Sequence, residues 1–343
     1  MSRVFLTGAS GFVGGALLQR LVERGDTVTA LARSEEAAVM LRARGARVAM
    51  GDTVDEDALA AGMHGCELVY HVAGINTLCP VDPVPLFEVN VGGAEAAVRA
   101  AARAGIARVV LTSSAATLGE AKDTVGNEDS PHRGWFLSSY ERSKHDGELA
   151  AFAAARRTGV ELISVNPSSV QGPGRTGGTG KIMIAYLNGK LKAFVDTRLS
   201  LVDIADCVEG HLLAAERGRP GQRYVLNGAT LRSTEALELV SGMTGVSEPV
   251  RLLPRPVALA VAGLAEVGFR AARRKPPVCR EMVRTMLHGH DYDGSRAVRE
   301  LGLTYRPLPD TFARTITWAV ANGLVTRPLP GFSPESDRLP GGI

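Results

Sequence analysis

Across the first 170 residues the chain repeats one pattern: a short β-branched run, a turn, then an Ala- and Leu-rich run with helical spacing. "RVFLTG" reads as a strand and "GGALLQRLVERG" as a helix closed by Gly25. "TVTALAR", "RVAMGD", "ELVYHVAG", "RVVLTSSA" and "ELISVNPSSV" read as further strands. The helical runs between them are "SEEAAVMLRARG", "DEDALAAGMHG", "PLFEVNVGGAEAAVRAAARAG" and "SSYERSKHDGELAAFAAARRTG". Strands that alternate with helices through short loops predict a parallel sheet covered on both faces, a doubly wound α/β fold. Beyond residue 170 the alternation loosens. A Gly-rich loop, "QGPGRTGGTGK", leads into a helix near 180 to 189, then "RLSLVDIADCVEGHLLAAERG", "QRYVLNG" and "STEALELVSGMTG". The expected organisation is one unit over 1–170, a smaller lobe over 171–326 with elements returning to the main sheet, and a Pro/Gly-rich, loosely held tail over 327–343.

Composition narrows the partners. Lys and Arg number 39 against 36 Asp and Glu, and aromatic residues make up 5% of the 343. Near-balanced charge and few stacking rings argue against nucleic acid and leave a small-molecule substrate. Cys66, Cys79, Cys207 and Cys279 are scattered without a CxxC or a metal-ligand spacing, so no metal is expected and all four are expected reduced in a cytoplasmic protein. "MSRVFLTGAS" runs straight into a strand without a signal-peptide pattern, and no apolar run reaches membrane-spanning length. Residues 256–277 form an apolar helix ending in Arg270, Arg273, Arg274 and Lys275. Two readings stand for it: a cap packed over a pocket, or a helix lying on a membrane surface.

"TGASGFVG" follows the first strand and opens the first helix, the context of a dinucleotide fingerprint. Gly8, Gly11 and Gly14 permit a tight turn and a close approach of pyrophosphate to the helix N-terminus, with Ser10, Phe12 and Val13 in the same loop. A plain turn is the alternative. At the end of the second strand an NAD enzyme usually carries an acid for the adenosine ribose. Ala32 and Arg33 stand there instead, and a guanidinium pairs with a 2′-phosphate, so NADP(H) is expected over NAD(H). Ser34 is placed to assist; Arg33 as a solvated charge is the bland reading. Asp52, beside Thr53, either accepts from the adenine amino group or caps the next helix. Ala73 and Gly74 let the backbone pass close to the cofactor.

"YERSK" places Tyr140 and Lys144 one helical turn apart. Together with "TGASGFVG", "GD" at 51–52, "HVAG" at 71–74, "VNVGG" at 89–93, "TSSAAT" at 112–117 and "NPSSVQGPG" at 166–174, it resembles the extended short-chain dehydrogenase/reductase superfamily. The motifs follow in that family's order from the first strand to about residue 325, with "DYDGSRAVRELGL" fitting its closing segment. The nearest likeness is to the dihydroflavonol-reductase-like branch and, within it, to hopanoid-associated sugar epimerases. The resemblance implies that Tyr140 exchanges a proton with the substrate's carbonyl or alcohol and that Lys144 holds the nicotinamide ribose. An ammonium one turn away and the nicotinamide charge are expected to lower the phenol's pKa. Ser114 matches the substrate-orienting hydroxyl, with neighbouring Ser113 in competition. Asn90 matches a residue supporting the site's backbone, Thr112 lies beside the site, and Pro167, Ser168, Ser169 and Val170 match the nicotinamide carboxamide side. Hydride transfer would run between nicotinamide C4 and the substrate carbon.

The resemblance covers three chemistries. Dehydratases of the superfamily carry an Asp–Glu pair after the catalytic Ser/Thr; Ala115 and Ala116 stand there in this chain. Epimerases bind a nucleotide diphosphate through second-lobe arginines, for which Arg175 and Arg198 are candidates. The Arg33 signal favours net reduction of an apolar or cyclic ketone by NADPH, with sugar epimerase as the alternative and a non-catalytic NADP sensor as a remote one. Helices over 86–104 and 139–157 resemble a dimer-forming pair, so a homodimer is expected.

Overall fold

The computed structural model describes residues 1–332. Its strands in chain order are β1 (Arg3–Thr7), β2 (Thr27–Ala32), β3 (Arg47–Met50), β4 (Leu68–His71), β5 (Arg108–Thr112), β6 (Glu161–Pro167), β7 (Ser169–Gln171), β8 (Ala193–Phe194), β9 (Arg198–Asp203), β10 (Arg223–Leu226), β11 (Ala229–Arg232) and β12 (Arg251–Leu252). The helices are α1 (Phe12–Glu23), α2 (Glu35–Ala43), α3 (Glu56–Met63), α4 (Val84–Phe87), α5 (Gly93–Arg103), α6 (Ser139–Thr158), α7 (Thr179–Leu187), α8 (Ile204–Arg217), α9 (Ser233–Thr244), α10 (Arg255–Ala271), α11 (Arg280–His288) and α12 (Leu308–Ala321).

Seven strands pair in the order β10-β6-β5-β4-β1-β2-β3, all parallel. Successive side chains of a strand point to opposite faces, and here both faces are dry. Val4 and Leu6 of β1 join one core with Leu17, Leu18 and Leu21 of α1, Leu41 of α2 and Leu212 of α8. Phe5, between them, joins the opposite core with Leu59 and Met63 of α3, Ala97 and Ala101 of α5, and Ala151 and Ala154 of α6. The chain runs outward from β1 through β2 to β3, then returns to β4 on the other side of β1. The crevice at that reversal is where open α/β sheets bind ligands.

Two expectations are corrected and a third is refined. "ELISVNPSSV" is two strands: β6 stays in the large sheet, while β7 crosses into a three-stranded sheet with β9 and β11. The expected long helix over 85–105 is present from Val84 to Arg103, with a π-helical turn over Glu88–Gly92 inserted between α4 and α5. The cysteines are not all reduced, because Cys79 and Cys279 form a disulfide with Cα atoms 5.8 Å apart. Their 200-residue separation gave the sequence no sign of the pairing; Cys66 and Cys207 are free. The smaller lobe has its own apolar core around Tyr186, Leu187, Phe312 and Ile316. At the head of the tail, Arg327 pairs with Glu248, and Leu329 and Phe332 pack on that core, so 327–332 is held; residues 333–343 lie outside the described part. Among the described residues no helix is long and apolar enough to cross a membrane.

Candidate active site

A cavity of about 920 Å³ opens along the crevice and runs from the β2–α2 turn to the face of α11. It is lined by all the expected site residues except Asp52 and Asn90. At its base two glycines are obligatory. Gly8 has φ +72°, and a Cβ there would come within 2.6 Å of the Ala73 nitrogen; one on Gly14 would lie 2.1 Å from the Gly8 carbonyl oxygen. Gly11 donates its N–H to that same oxygen at 2.9 Å and begins α1. The loop is thus drawn so tightly that backbone alone faces the cavity at the N-terminus of α1, which fits a dinucleotide pyrophosphate. Thr7 and His71, which sequence reasoning passed over, brace it from below. Thr7 Oγ1 meets His71 Nδ1 at 3.1 Å and accepts from the Ala73 N–H at 3.1 Å. Burial and the nearby Lys144 charge push the His71 imidazole down to about 3, so it braces the loop as a neutral ring.

At the adenosine end Arg33 reaches over the cavity, its side chain 71% exposed. Ser34 caps α2, accepting from the Ala37 N–H at 3.3 Å. The Asp52 carboxylate accepts from the Val54 N–H at 3.2 Å and lies 3.9 Å from Arg33, so it serves the local turn; Asp55 caps α3. Thr53, beside it, lines the cavity.

The catalytic end is set by how α6 starts. Ser138 and Glu141 make the S-x-x-E pattern of a helix start: Ser138 Oγ accepts from the Glu141 N–H at 3.1 Å, and the Glu141 carboxylate accepts from the Leu137 N–H at 2.6 Å. Arg133 pairs with Glu141 in a buried contact. Tyr140 and Lys144 then project together into the cavity. Lys144 Nζ donates to the Thr112 carbonyl at 2.8 Å. The Thr112 hydroxyl meets His211 Nε2 at 2.8 Å. Asn90 works from behind: its amide accepts from the Ile75 N–H at 2.8 Å and donates to the Ile75 carbonyl at 3.0 Å and to Ser143 Oγ at 2.9 Å. It sits in the π-helical turn, and Gly147 of α6 admits that turn, since a Cβ there would lie 2.1 Å from the Asn90 carbonyl oxygen.

The Ser114 hydroxyl lines the cavity with Tyr140 and accepts from the Ala116 N–H at 3.3 Å, whereas Ser113 Oγ is buried without a partner. The lowering of the phenol's pKa expected from Lys144 together with the nicotinamide charge is not present in the protein alone. Burial pushes Tyr140 up, and the Ser114 hydroxyl and the Arg175 guanidinium pull it partly back. Arg175 lies 5.4 Å from the centre of the Phe12 ring, and burial lowers its own pKa. The other candidate arginine, Arg198, is paired with Asp291 at 2.9 Å.

Comparison with known proteins identifies the family and the fold. Residues 4–227 match the NAD dependent epimerase/dehydratase family. The chain belongs to that family. It is 33% identical over 329 residues to the "Putative dihydroflavonol 4-reductase" of Synechocystis sp., covering 94% of this chain and 95% of that one. It is 31% identical over 312 residues to a 4-hydroxy-2-methyl-3-oxo-4-farnesyl-3,4-dihydroquinoline-1-oxide ketoreductase of Stigmatella aurantiaca, covering 89% and 92%. The crystal structure of gox2253 superposes with a TM-score of 0.82 at 31% identity, covering 94% of this chain and 99% of that one. This epimerase/dehydratase-family protein is an NAD(P)-dependent enzyme of the extended short-chain dehydrogenase/reductase type.

In this family member a second polar cluster lies beside the cavity. Glu120, His288 and His290 bring one carboxylate and two imidazoles within 4.8 Å of one another. His290 Nδ1 meets Glu120 Oε1 at 2.6 Å and the Tyr292 hydroxyl at 2.8 Å. Burial raises the Glu120 carboxyl, but the adjacent His288 and His290 imidazoles outweigh it and hold the group at about 2. Its members lie far apart in sequence, and no spacing announces them. Burial also brings Lys144 from 10.5 down to about 8, with Glu148 opposing. Unfolded chains keep that proton to higher pH, so the cofactor-free protein gains stability as pH rises from about 8 toward 10.5. If the ammonium holds the cofactor ribose, NADPH affinity is expected to fall once pH passes about 8, the Kd approaching a tenfold rise per pH unit, roughly as linkage dictates. Fluorescence titration across pH checks this; a Lys144→Met variant should bind weakly with no such slope.

Proposed function

We propose that this enzyme is an NADPH-dependent carbonyl reductase that acts on an apolar or cyclic ketone. One observation carries the choice: the substrate end of the cavity is walled by Leu78, Val89, Ala116, Leu199 and Met286, and its second-lobe arginine Arg198 is paired with Asp291. Such a wall suits a lipophilic ketone and leaves a sugar nucleotide diphosphate only Arg175 as an anion partner among the two candidate arginines. The ketoreductase and dihydroflavonol reductase relatives are named for related reactions.

When bound, NADPH supplies the reducing equivalent. The chain's own residues do the rest. The Ser114 hydroxyl donates to the ketone oxygen and stabilises the charge that develops there. Tyr140, kept protonated at neutral pH by burial, delivers its proton to that oxygen. Lys144 holds the nicotinamide ribose, while Asn90 and Thr112 position the backbone and the lysine. Pro167, Ser169 and Val170 stand on the nicotinamide side. A homodimer through α5 and α6 belongs to this proposal; Leu149 is exposed on α6.

NADPH preference rests on Arg33, because a guanidinium matches a 2′-phosphate and no acid faces the cavity there. Arg33→Asp is expected to cut the NADPH over NADH preference about 10²-fold, from the loss of charge-assisted bonds and the added repulsion. Initial rates with each nucleotide read it out; an unchanged ratio would reject the role. Absorbance assays with flavanonols, steroids and β-keto compounds test the reaction. Steady NADPH oxidation supports the reductase. An absence of net oxidation, with nucleotide retained through purification, would favour the epimerase, for which the buried Arg175 is the available anion partner.

A further inference from the structure

Helix α10 presents an apolar side to solvent. Val257, Val261, Leu264 and Val267 recur at three- or four-residue intervals and are 45%, 50%, 77% and 66% exposed. That spacing places them on one face of a helix about 25 Å long. The opposite side, with Ala258 and Ala262, packs on Val195 and on Val283 of α11. A single exposed valine is ordinary; a row of large apolar side chains down one helix is not.

Charge frames this face. Arg251 and Arg255 precede it, Arg270, Arg273, Arg274 and Lys275 follow it, and all six are exposed. The one acid in that stretch, Glu266, is already engaged. Its Oε1 accepts from Arg270 Nε at 3.1 Å and its Oε2 from the Arg280 N–H at 3.2 Å. A second copy laid on this face would bring cations against cations.

We infer that α10 docks the protein on the surface of an anionic phospholipid bilayer, lying in the membrane plane. The apolar row enters the acyl boundary and the flanking cations meet the headgroup phosphates. The docked face adjoins the cavity. Helix α11 lends Thr285 and Met286 to the cavity wall, Lys275 hydrogen-bonds Thr77, and the disulfide joins Cys279 to Cys79, next to cavity-lining Leu78. A substrate dissolved in the bilayer would thus have a short path to the site. The docking itself does not depend on the reductase reading, and its test has no enzymatic readout.

The test is cosedimentation of the full chain with phosphatidylcholine vesicles, with and without phosphatidylglycerol, at low and high salt. Binding to the anionic vesicles, weakened by salt, is expected. Leu264→Asp should lower it about tenfold or more through lost apolar burial. Arg273→Glu with Arg274→Glu should lower it by about fivefold per cation removed. Leu264 is 77% exposed, so its replacement leaves the packing intact, which a melting curve verifies. Protein that stays in the supernatant, or a Leu264→Asp variant that binds like the parent, overturns the inference. So does a larger species in vesicle-free buffer that Leu264→Asp dissolves, since the face would then join two copies.

Discussion

Tyr140→Phe is expected to slow ketone reduction about 10³-fold, within the range that a positioned proton donor contributes, and to leave NADPH affinity unchanged. The phenol hydroxyl is the one group removed. Its neighbours cannot replace it: Lys144 donates to the Thr112 carbonyl, and Ser114 is an alcohol with little acidity. The ring stays, so the cavity keeps its shape. Initial rates of NADPH oxidation, with a parallel fluorescence titration of NADPH, separate lost chemistry from lost binding. A Phe variant that turns over within tenfold of the parent would remove Tyr140 from the mechanism.

Gly147→Ala should be as damaging as any single-methyl change in the glycine turn itself. The added Cβ would lie 2.1 Å from the Asn90 carbonyl oxygen and 2.9 Å from its carbon, so backbone must move. Overpacking of this kind costs about 3 kcal/mol or more when neither side can yield. Asn90 and Gly147 are themselves buried, which leaves no easy retreat. The displacement would also carry Asn90 away from Ile75, so cofactor affinity should fall along with the melting temperature. Gly92 gives the control: a Cβ there meets nothing within 4 Å, and Gly92→Ala should be neutral or stabilising by up to about 1 kcal/mol. Equal effects in the two variants would reject the packing argument.

Much of this site could be read from the sequence because its parts are local. A glycine trio at a strand end, a Tyr and a Lys one turn apart, and an arginine in place of an acid are patterns within a few residues. The alternation of strands and helices fixed the sheet for the same reason. What escaped was set by distance or by close contact. The break at Ser168 depends on a second sheet that only β9 and β11 complete. The π-helical turn keeps a helical composition and differs only in its winding. The Glu120–His288–His290 cluster and the Cys79–Cys279 bond join segments that chain order keeps apart. The electrostatics failed in an instructive way. Proximity suggested that Lys144 would acidify Tyr140, but burial dominates both groups, raising the phenol and lowering the amine.

The bond between Cys79 and Cys279 also changes what kind of object the chain is. Residues 79–279 form a covalent loop with two free arms. The glycine turn and Arg33 belong to the N-terminal arm, while Ser114, Tyr140 and Lys144 belong to the loop. The proposed cofactor therefore spans a boundary, held at its adenosine end by an arm and at its reacting end by the ring. One cut anywhere in the ring leaves a single covalently joined molecule, whereas one cut between the phosphate-binding turn and residue 79 leaves that turn held to the rest by packing and strand pairing alone.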